Sequence, residues 1–434
     1  DTIDWDAFHD VPVGIVTGTN GKTTSVRFAK HILRAAGHNV GVSSTDWIAV
    51  NERIIDRDDW SGPGGARAVL REREVDAAIL ETARGGLLRR GLGVERADAA
   101  LITNISEDHL GDFGSRTLDE LLDIKWVLSH AVRAAGKLVL NAEDVRLVDK
   151  AGTYDGEIVW FSLDAASPVV TRHIAAGGTA FVLHGDELCM LDSAERTPIC
   201  RSDDIPLALG GAARHNVANA LSAAALTWSM GVSLDAIARG LTTMRQDENP
   251  GRCNLYTLDG FKVLIDFAHN PAAMAALFDM ARAIPAKRRA LCFGQAGDRT
   301  DELIRELARD AWAIGVDRVI VSELSKYHRG REHGDVFRII RDELLRIGSS
   351  VRSLVFFTIG CHKLEKVLAE HDAHFRAAFP DYQGATVVYF EGKFKLDFEK
   401  MGLLDDAGFY FKTKGHWSDG INPDKVGASS AATP

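Results

Sequence analysis

The stretch "TGTNGKTT", residues 17–24, gathers glycines, threonines, an asparagine and a lysine between the apolar "VPVGIV" and the helix-like "SVRFAKHILRAAG". Strand, glycine turn, then Lys-Thr at a helix start is an arrangement that aims backbone N–H groups and a helix N-terminus at phosphate oxygens. In such a loop Lys22 contacts the β- and γ-phosphates, and Thr23 offers its hydroxyl to Mg²⁺. The pattern GxxxxGK[ST] is not met literally: its first glycine would fall at Val16, and the chain carries Gly18 instead. A plain glycine-rich turn with an exposed lysine is the alternative, disfavoured by the strand before it and the helix after it. Two further segments carry candidate groups. "ILETARGG", 79–86, ends in Glu81, a carboxylate suited to Mg²⁺ or to an attacking group, although a lone strand-end Glu also serves as a cap or surface residue. "TNISEDHLG", 103–111, offers Asn104, Asp108 and His109. Because Mg²⁺ prefers oxygen ligands, a role for His109 at a metal has to rest on more than ligand chemistry.

These groups need elements that bring them together. "VGIVTG" reads as a buried strand, and Val26, Ala29, Ile32, Leu33 and Ala36 keep helical spacing until Gly37. "VDAAILET" and "ADAALITNIS" are again apolar strands with polar ends. Strands alternating with helices predict a parallel sheet, whose ligand crevice lies beyond the strands' carboxyl ends. Three such ends therefore point to one shared site. Residues 157–207 read differently: "IVWFSL", "VVTRHI", "TAFVLH", "ELCML" and "TPIC" suggest short strands in an antiparallel β-meander. Helical patterns return at "NVANALSAAALTWSMG" and "SLDAIARGLTTM", and "ENPGR", 248–252, reads as a hinge. Beyond it "FKVLIDFAHN", "RRALCFGQAG", "VDRVIVSE" and "ATVVYFEG" alternate with helices, predicting a second, Rossmann-like α/β unit. The expected domains are 1–250, a P-loop α/β ATPase unit containing the β-rich segment, and 251–434, with a small polar tail, "GASSAATP".

At 434 residues the chain exceeds one ordinary core. Its 46% apolar and 26% charged residues describe a globular protein, and a net charge of −10 gives no global pull toward nucleic acid or anionic membrane. No apolar run approaches the ~20 residues of a membrane-spanning helix. "DTIDWDAFHD" lacks the features of a signal peptide, and five scattered cysteines without a CxxC fit a reducing, cytoplasmic setting.

"TGTNGKTT", a strand-end Glu and "TN…DHL", in that order, resemble the ATPase domain of the Mur ligase superfamily. "ETARGGLLRRGLG" and "TNISEDHLG" look closest to its cyanophycin synthetase branch, and the likeness runs on through "VLNAEDVRLV", "GGAARHNVANALSAAAL", "NPGRCNLY", "VLIDFAHNP" and "GDRTDELIRELA". It covers most of residues 11–345. The resemblance implies that ATP phosphates are held by Lys22 and by the loop residues Gly18, Thr19, Asn20, Gly21, Thr23 and Thr24. It implies one Mg²⁺ on Thr23 and Glu81 and a second on Glu81 and His109. Lys125, in "LLDIKWVL", lies where many relatives carry a CO₂-carbamylated lysine; an ordinary salt-bridging lysine is the other reading. Asn219 matches an adenine contact, with His215 and Asn216 near it. Arg252 matches an arginine that reaches the phosphates, and Asp266 a ribose-holding carboxylate with His269 and Asn270 on the same turn. Arg84, Gly85 and Gly86 would face the acceptor, and His269 and Asn270 would also bind substrate.

The implied reaction joins a small-molecule or peptide carboxylate to an amino acid or amine with ATP and Mg²⁺, and needs neither nucleic acid nor membrane. About sixteen residues precede the loop, so a free-standing ligase unit and a fragment of a longer chain are both expected readings, and a homo-oligomer is compatible with either. Neither a UDP-sugar-binding domain nor an ATP-grasp module is present in this sequence, which favours addition of one amino acid or amine over building an alternating polymer. The alternative is a nucleotide-binding subunit of an amidotransferase or similar complex; the cysteine-rich insert found in several of those is not seen. Arg84, Arg89 and Arg90 suit an anionic acceptor or a solvated helix face. The aromatic residues Phe390, Phe394, Phe398, Phe409, Tyr410, Phe411 and Trp417 suit extra packing, a lid, an oligomer contact or a substrate wall.

Overall fold

A computed structural model describes residues 11–107, 116–193, 195–258, 261–268, 270–286, 288–297, 299–324, 328–332, 334–348, 354–359 and 385–390. The chain divides into two compact units between Glu248 and Asn249. His109, His269 and the aromatic residues after Phe390 lie outside the described residues, as do both chain ends.

In the first unit, β1 (Val13–Thr17) feeds α1 (Lys22–Ala35), followed by β2 (Val40–Ser43), β3 (Ile48–Val50), β4 (Arg53–Asp56) and α2 (Pro63–Val69). Then come β5 (Ala77–Glu81), α3 (Arg84–Arg90), β6 (Ala97–Ile102), α4 (Leu118–Trp126), β7 (Val132–Asn141), α5 (Val145–Ala151) and β8 (Glu157–Ser162). The unit closes with α6 (Pro168–Ala175), β9 (Thr179–His184), β10 (Glu187–Asp192), β11 (Glu195–Arg201), α7 (Arg214–Ser229) and α8 (Leu234–Thr243). The strands form one sheet of order β11-β10-β9-β8-β7-β6-β1-β5-β2-β3-β4. From β9 to β2 every neighbouring pair is parallel, and antiparallel strands extend both edges.

Because side chains alternate across a strand, each central strand feeds two cores. Val16, Ile79 and Leu101 face the layer built by α1, α7 and α8, while Ile15, Leu80 and Ile102 face the other layer with Leu121, Trp126 and Leu147. Burial on both faces explains why β1 and β5 are apolar up to their last residues, Thr17 and Glu81, rather than alternating. α1 follows the predicted stripe at Val26, Ala29, Ile32 and Leu33, which it buries, while Ala36 is its exposed C-cap, and the chain leaves through Gly37 at φ 100°.

The meander expectation holds only for β9–β11, and the segment 157–207 needs correcting. β8 pairs in parallel with both β7 and β9, so it belongs to the central sheet. "VVTRHI" is α6, not a strand, because parallel neighbours require a crossover and a helix supplies it. Ser167-Pro168 was the available signal, with proline at a first helical position. The short strands β2–β4 form an edge that the sequence pattern did not announce.

The second unit contains β12 (Asn254–Leu258), β13 (Phe261–Asp266), α9 (Pro271–Ala283), β14 (Arg288–Phe293), α10 (Asp301–Ala313), β15 (Arg318–Leu324), α11 (Asp335–Arg346), β16 (Leu354–Ile359) and β17 (Ala385–Phe390). Its sheet order is β12-β13-β17-β14-β15-β16, parallel except for the β12–β13 pair. Among the described residues no helix is long and apolar enough to cross a membrane.

Candidate active site

The loop between β1 and α1 is shaped by two glycines. Gly18 has φ 144° and Gly21 φ 86°, a region that L side chains avoid. A Cβ on Gly18 would lie 1.9 Å from Thr103 Oγ1, and one on Gly21 2.3 Å from Asn219 Oδ1. Conformation and crowding therefore both require glycine here. Gly21 also brings no capping side chain to α1, so the first turn of that helix opens onto the loop.

The segment after β6 braces this loop from one side. Asn104 accepts from the Asn20 N–H through Oδ1 (3.0 Å) and from the Thr19 N–H through its carbonyl (2.9 Å). Thr103 Oγ1 donates to the Asn20 carbonyl at 2.6 Å, and the Ser106 N–H donates to Thr19 Oγ1 at 3.1 Å. Two of the amides assigned to phosphates by resemblance, those of Thr19 and Asn20, are thus engaged by Asn104. Two lysines converge on the same backbone. Lys22 Nζ donates to the carbonyls of Gly18 (2.9 Å) and Thr19 (2.7 Å), and Lys125 Nζ donates to Gly18 at 2.6 Å. Lys125 is 3% exposed on α4, so it is a buried group at the loop.

Glu81 comes from the neighbouring strand. The parallel register sets it beside Val16, one residue before the loop begins, and it is 1% exposed. Its Oε1 accepts from the hydroxyls of Thr23 (3.2 Å) and Thr45 (2.7 Å), and its Oε2 from the Thr45 N–H (3.3 Å). Thr23 and Glu81, the residues named for a metal, are in contact, while His109 lies outside the described residues. No cluster of three or more His, Cys, Asp or Glu groups suited to a metal occurs among the described residues. The donor set at Thr23 and Glu81 is all oxygen, which suits Mg²⁺. Thr45 was missed by sequence reasoning, because "SSTDWI" carries no motif spacing and reads as a turn.

α3 starts two residues after Thr82, with Arg84, Gly85 and Gly86 half-buried in its first turn. Gly86 has a packing reason: a Cβ there would meet the Ser61 carbonyl at 2.9 Å and Gly62 Cα at 3.0 Å. Arg89 turns back to the Gly85 carbonyl at 2.9 Å. On α7, Asn219 contacts Gly21 as described and donates to Asn216 Oδ1 at 3.2 Å, while Asn216 Nδ2 donates to the Leu207 carbonyl at 2.9 Å. Both asparagines are buried, and His215 is half-buried beside them. Thr24 is buried in the first turn of α1.

In the second unit the turn 249–254 is tied internally: Gly251 N–H donates to Asn254 Oδ1 at 2.6 Å, and Asn254 Nδ2 to the Asn249 carbonyl at 3.1 Å. The Arg252 guanidinium lies 4.6 Å over the Phe267 ring. Asp266 ends β13; its Oδ2 accepts from the Cys253 N–H (2.8 Å) and thiol (3.0 Å), and its Oδ1 from the Ala268 N–H (2.7 Å). Burial first, then the Asp266 charge, pushes the Cys253 thiol well above its ordinary range, so it stays protonated and donates. Asn270 caps α9 by accepting from the Ala273 N–H at 3.0 Å, which gives it a structural task that the substrate expectation did not include.

The phosphate-type loop on β1, the acidic residue ending β5 and the bracing loop after β6 all fall within a segment that one family model matches. The family model for the Mur ligase middle domain matches residues 16–227, and that for the Mur ligase glutamate ligase domain matches residues 251–354. The chain belongs to the Mur ligase family. Within that family it is 36% identical over 344 residues to a cyanophycin synthetase of Nostoc sp., covering 79% of this chain and 38% of the relative. The chain therefore spans well under half the length of that curated relative. Among solved structures, MurF from Acinetobacter baumannii superposes with a TM-score of 0.61 at 16% identity, over 89% of this chain and 75% of that one. Escherichia coli FolC, solved with DHPP and ADP, gives 0.59 at 20% identity, over 87% and 85%. These structural likenesses speak for the fold.

Proposed function

We propose that this Mur ligase-family chain is an ATP-dependent ligase that activates a carboxylate as an acyl phosphate for attack by an amino acid or amine, with release of ADP and phosphate. The observation that carries the reading is the contact of Thr23 with Glu81 at the start of α1, beside Lys22 and the two-glycine loop. A carboxylate is a poor acylating agent because oxide cannot leave. Transfer of the γ-phosphoryl group supplies a good leaving group, and an amine then displaces phosphate through a tetrahedral intermediate.

Two anions have to approach for the first transfer. At about 3 Å and an effective dielectric near 20, each pair of unit charges repels by about 5 kcal/mol. Lys22 Nζ, which spans the loop, offsets part of that repulsion when the triphosphate displaces its two carbonyl partners. With the Thr19 and Asn20 amides engaged by Asn104, the N–H groups of Gly21, Lys22 and Thr23 at the open helix start are the ones that meet the phosphates. Thr23 and Glu81 would hold one Mg²⁺, with His109 completing a second site. Bound there, Mg²⁺ supplies charge neutralisation on the phosphoryl oxygens. Asn219, packed on Gly21, and Asn216 place polar groups at the loop for the nucleotide. Arg252 and Asp266 are assigned to phosphate and ribose. Lys125 Nζ donates to the Gly18 carbonyl; a carbamate on Nζ keeps one N–H for that bond but replaces the positive charge with a negative one, and mass analysis of the intact protein reads which form is present.

The acid is assigned to the α3 start, where Arg84 favours an anionic acceptor. A small acid or an aspartyl or glutamyl peptide end fits, and so does a cytoplasmic setting. Phosphate release from ATP and Mg²⁺, screened over the twenty amino acids with aspartyl and glutamyl peptides as acceptors, tests this. An acid- and amine-dependent burst of phosphate is expected; release that never exceeds the acceptor-free background overturns the reading.

A further inference from the structure

Glu81 is held by more than the strand that carries it. The chain from Ser44 to Trp47 forms a tight turn: the Ser44 N–H donates to the Trp47 carbonyl at 2.9 Å, and Ser44 Oγ accepts from the N–H groups of Asp46 and Trp47, each at 3.3 Å. That turn projects Thr45 onto Glu81, where its hydroxyl and N–H reach the two carboxylate oxygens separately. The turn is anchored in its turn to α1. Arg27, four residues after Thr23 and on the same helix face, pairs with Asp46 and stacks 4.4 Å over the Trp47 ring. Arg27 and Asp46 are 3% and 4% exposed. An ion pair taken out of water is costly to assemble and gives little net stability, so its retention here calls for a reason of specificity.

We propose that Thr45 is a positioning residue for Glu81, and that the buried Arg27–Asp46–Trp47 cluster is the clamp that sets Thr45. One helix then fixes the carboxylate twice, directly through Thr23 and indirectly through Arg27 and the turn. The two hydroxyls can each rotate to present a lone pair instead of a proton, so the carboxylate can pass from its hydrogen-bonded state to a cation without moving its backbone. Thr45 N–H cannot rotate in this way, and it keeps Oε2 aimed throughout. This inference rests on the ligase reading, in which Glu81 is a group that binds Mg²⁺.

The test uses the full chain, with ADP as probe, titrated by calorimetry with and without Mg²⁺, and thermal unfolding recorded in parallel. Thr45→Val keeps the volume and the N–H but removes the hydroxyl, and Thr45→Ser restores it. Thr45→Val is expected to weaken ADP binding about tenfold with Mg²⁺ and to leave binding without Mg²⁺ unchanged, at a melting temperature near that of the parent. Thr45→Ser is expected to recover affinity to within about threefold. Asp46→Asn should weaken Mg²⁺-dependent binding, and the double variant should be no worse than Thr45→Val alone, because both changes act through one contact. Should Asp46→Asn fail to fold, the Thr45 pair still decides. If the parent binds ADP but Thr45→Val shows the same Mg²⁺ dependence, the inference fails and the ligase reading stands. A Thr45→Ser as impaired as Thr45→Val overturns the role of the hydroxyl. A parent that binds no nucleotide brings down the ligase reading and the inference with it.

Discussion

Glu81 and Asp266 stand at the ends of β5 and β13, one in each unit, and among the described residues three donors of its own unit are seen to meet each carboxylate. The donors differ in kind. Glu81 is met by two hydroxyls and one N–H, whereas Asp266 is met by two N–H groups and a thiol kept protonated by burial and by Asp266 itself. Hydroxyls serve as donors or acceptors, so a cation arriving at Glu81 finds neighbours that can turn toward it. Backbone N–H groups only donate. They hold Asp266 as a fixed acceptor, suited to hydrogen-bonding a ligand hydroxyl and ill suited to a metal. Two strand-end carboxylates of similar placement thus acquire different chemistry from what surrounds them.

The largest effects should come from the Glu81 side. Lys22→Ala is expected to lower ATP-dependent phosphate release by about 10³-fold, and Glu81→Gln by about 10²- to 10³-fold with loss of Mg²⁺ dependence in nucleotide binding. Equal losses with and without Mg²⁺ in Glu81→Gln would break the comparison, since Glu81 would then be no different from Asp266. Asp266→Asn should be milder, raising KM for ATP about tenfold with little change in kcat, as expected for a group that binds ground and transition states alike. Steady-state kinetics checks this, and a loss mainly in kcat would place Asp266 nearer the chemistry. Cys253→Ala removes one donor to Asp266 and should cost about 1 kcal/mol in unfolding free energy, with Cys253→Ser recovering part of it. The buried Cys253 thiol should also resist thiol reagents at pH 8 in the folded protein and react on unfolding.

A smaller effect concerns the second unit alone. Arg346 and Arg309 beside Glu343 hold its carboxyl down at about 2. A depressed acid contributes stability above its unfolded value, about 4.3, and loses it as pH falls toward the folded value. The melting temperature of the parent should therefore fall between about pH 4.3 and 2, and Glu343→Gln should flatten that dependence in the unit's transition.

Much of this site was legible in the residues. Lys22 and Thr23 were marked by type and by their place at a helix start and Glu81 by its place at a strand end, and the parallel pairing of β1 with β5 brings Thr23 and Glu81 into contact. Thr45 was not legible, because its task depends on a turn held by Arg27, a residue that sequence spacing assigns only to a helix. The error at 168–175 has the same origin. "VVTRHI" has the β-branched composition of a strand, and only the parallel pairing of β8 with β9 makes it a crossover helix. The motif marks Asn270 for substrate, and only the structure shows that its side-chain oxygen Oδ1 also caps α9.

The order of residues by itself determined the loop, its glycines, the strand ends and the family, since these follow from local conformation and period: a left-handed turn needs glycine, and a buried parallel strand needs an unbroken apolar run. Tertiary structure alone decided which donors face each carboxylate, that Asn104 takes up the Thr19 and Asn20 amides, and that Lys125 reaches Gly18 across 107 residues. Such contacts depend on angle and distance between elements far apart in the chain, and a hydrogen bond is lost within fractions of an ångström that no spacing along a sequence encodes.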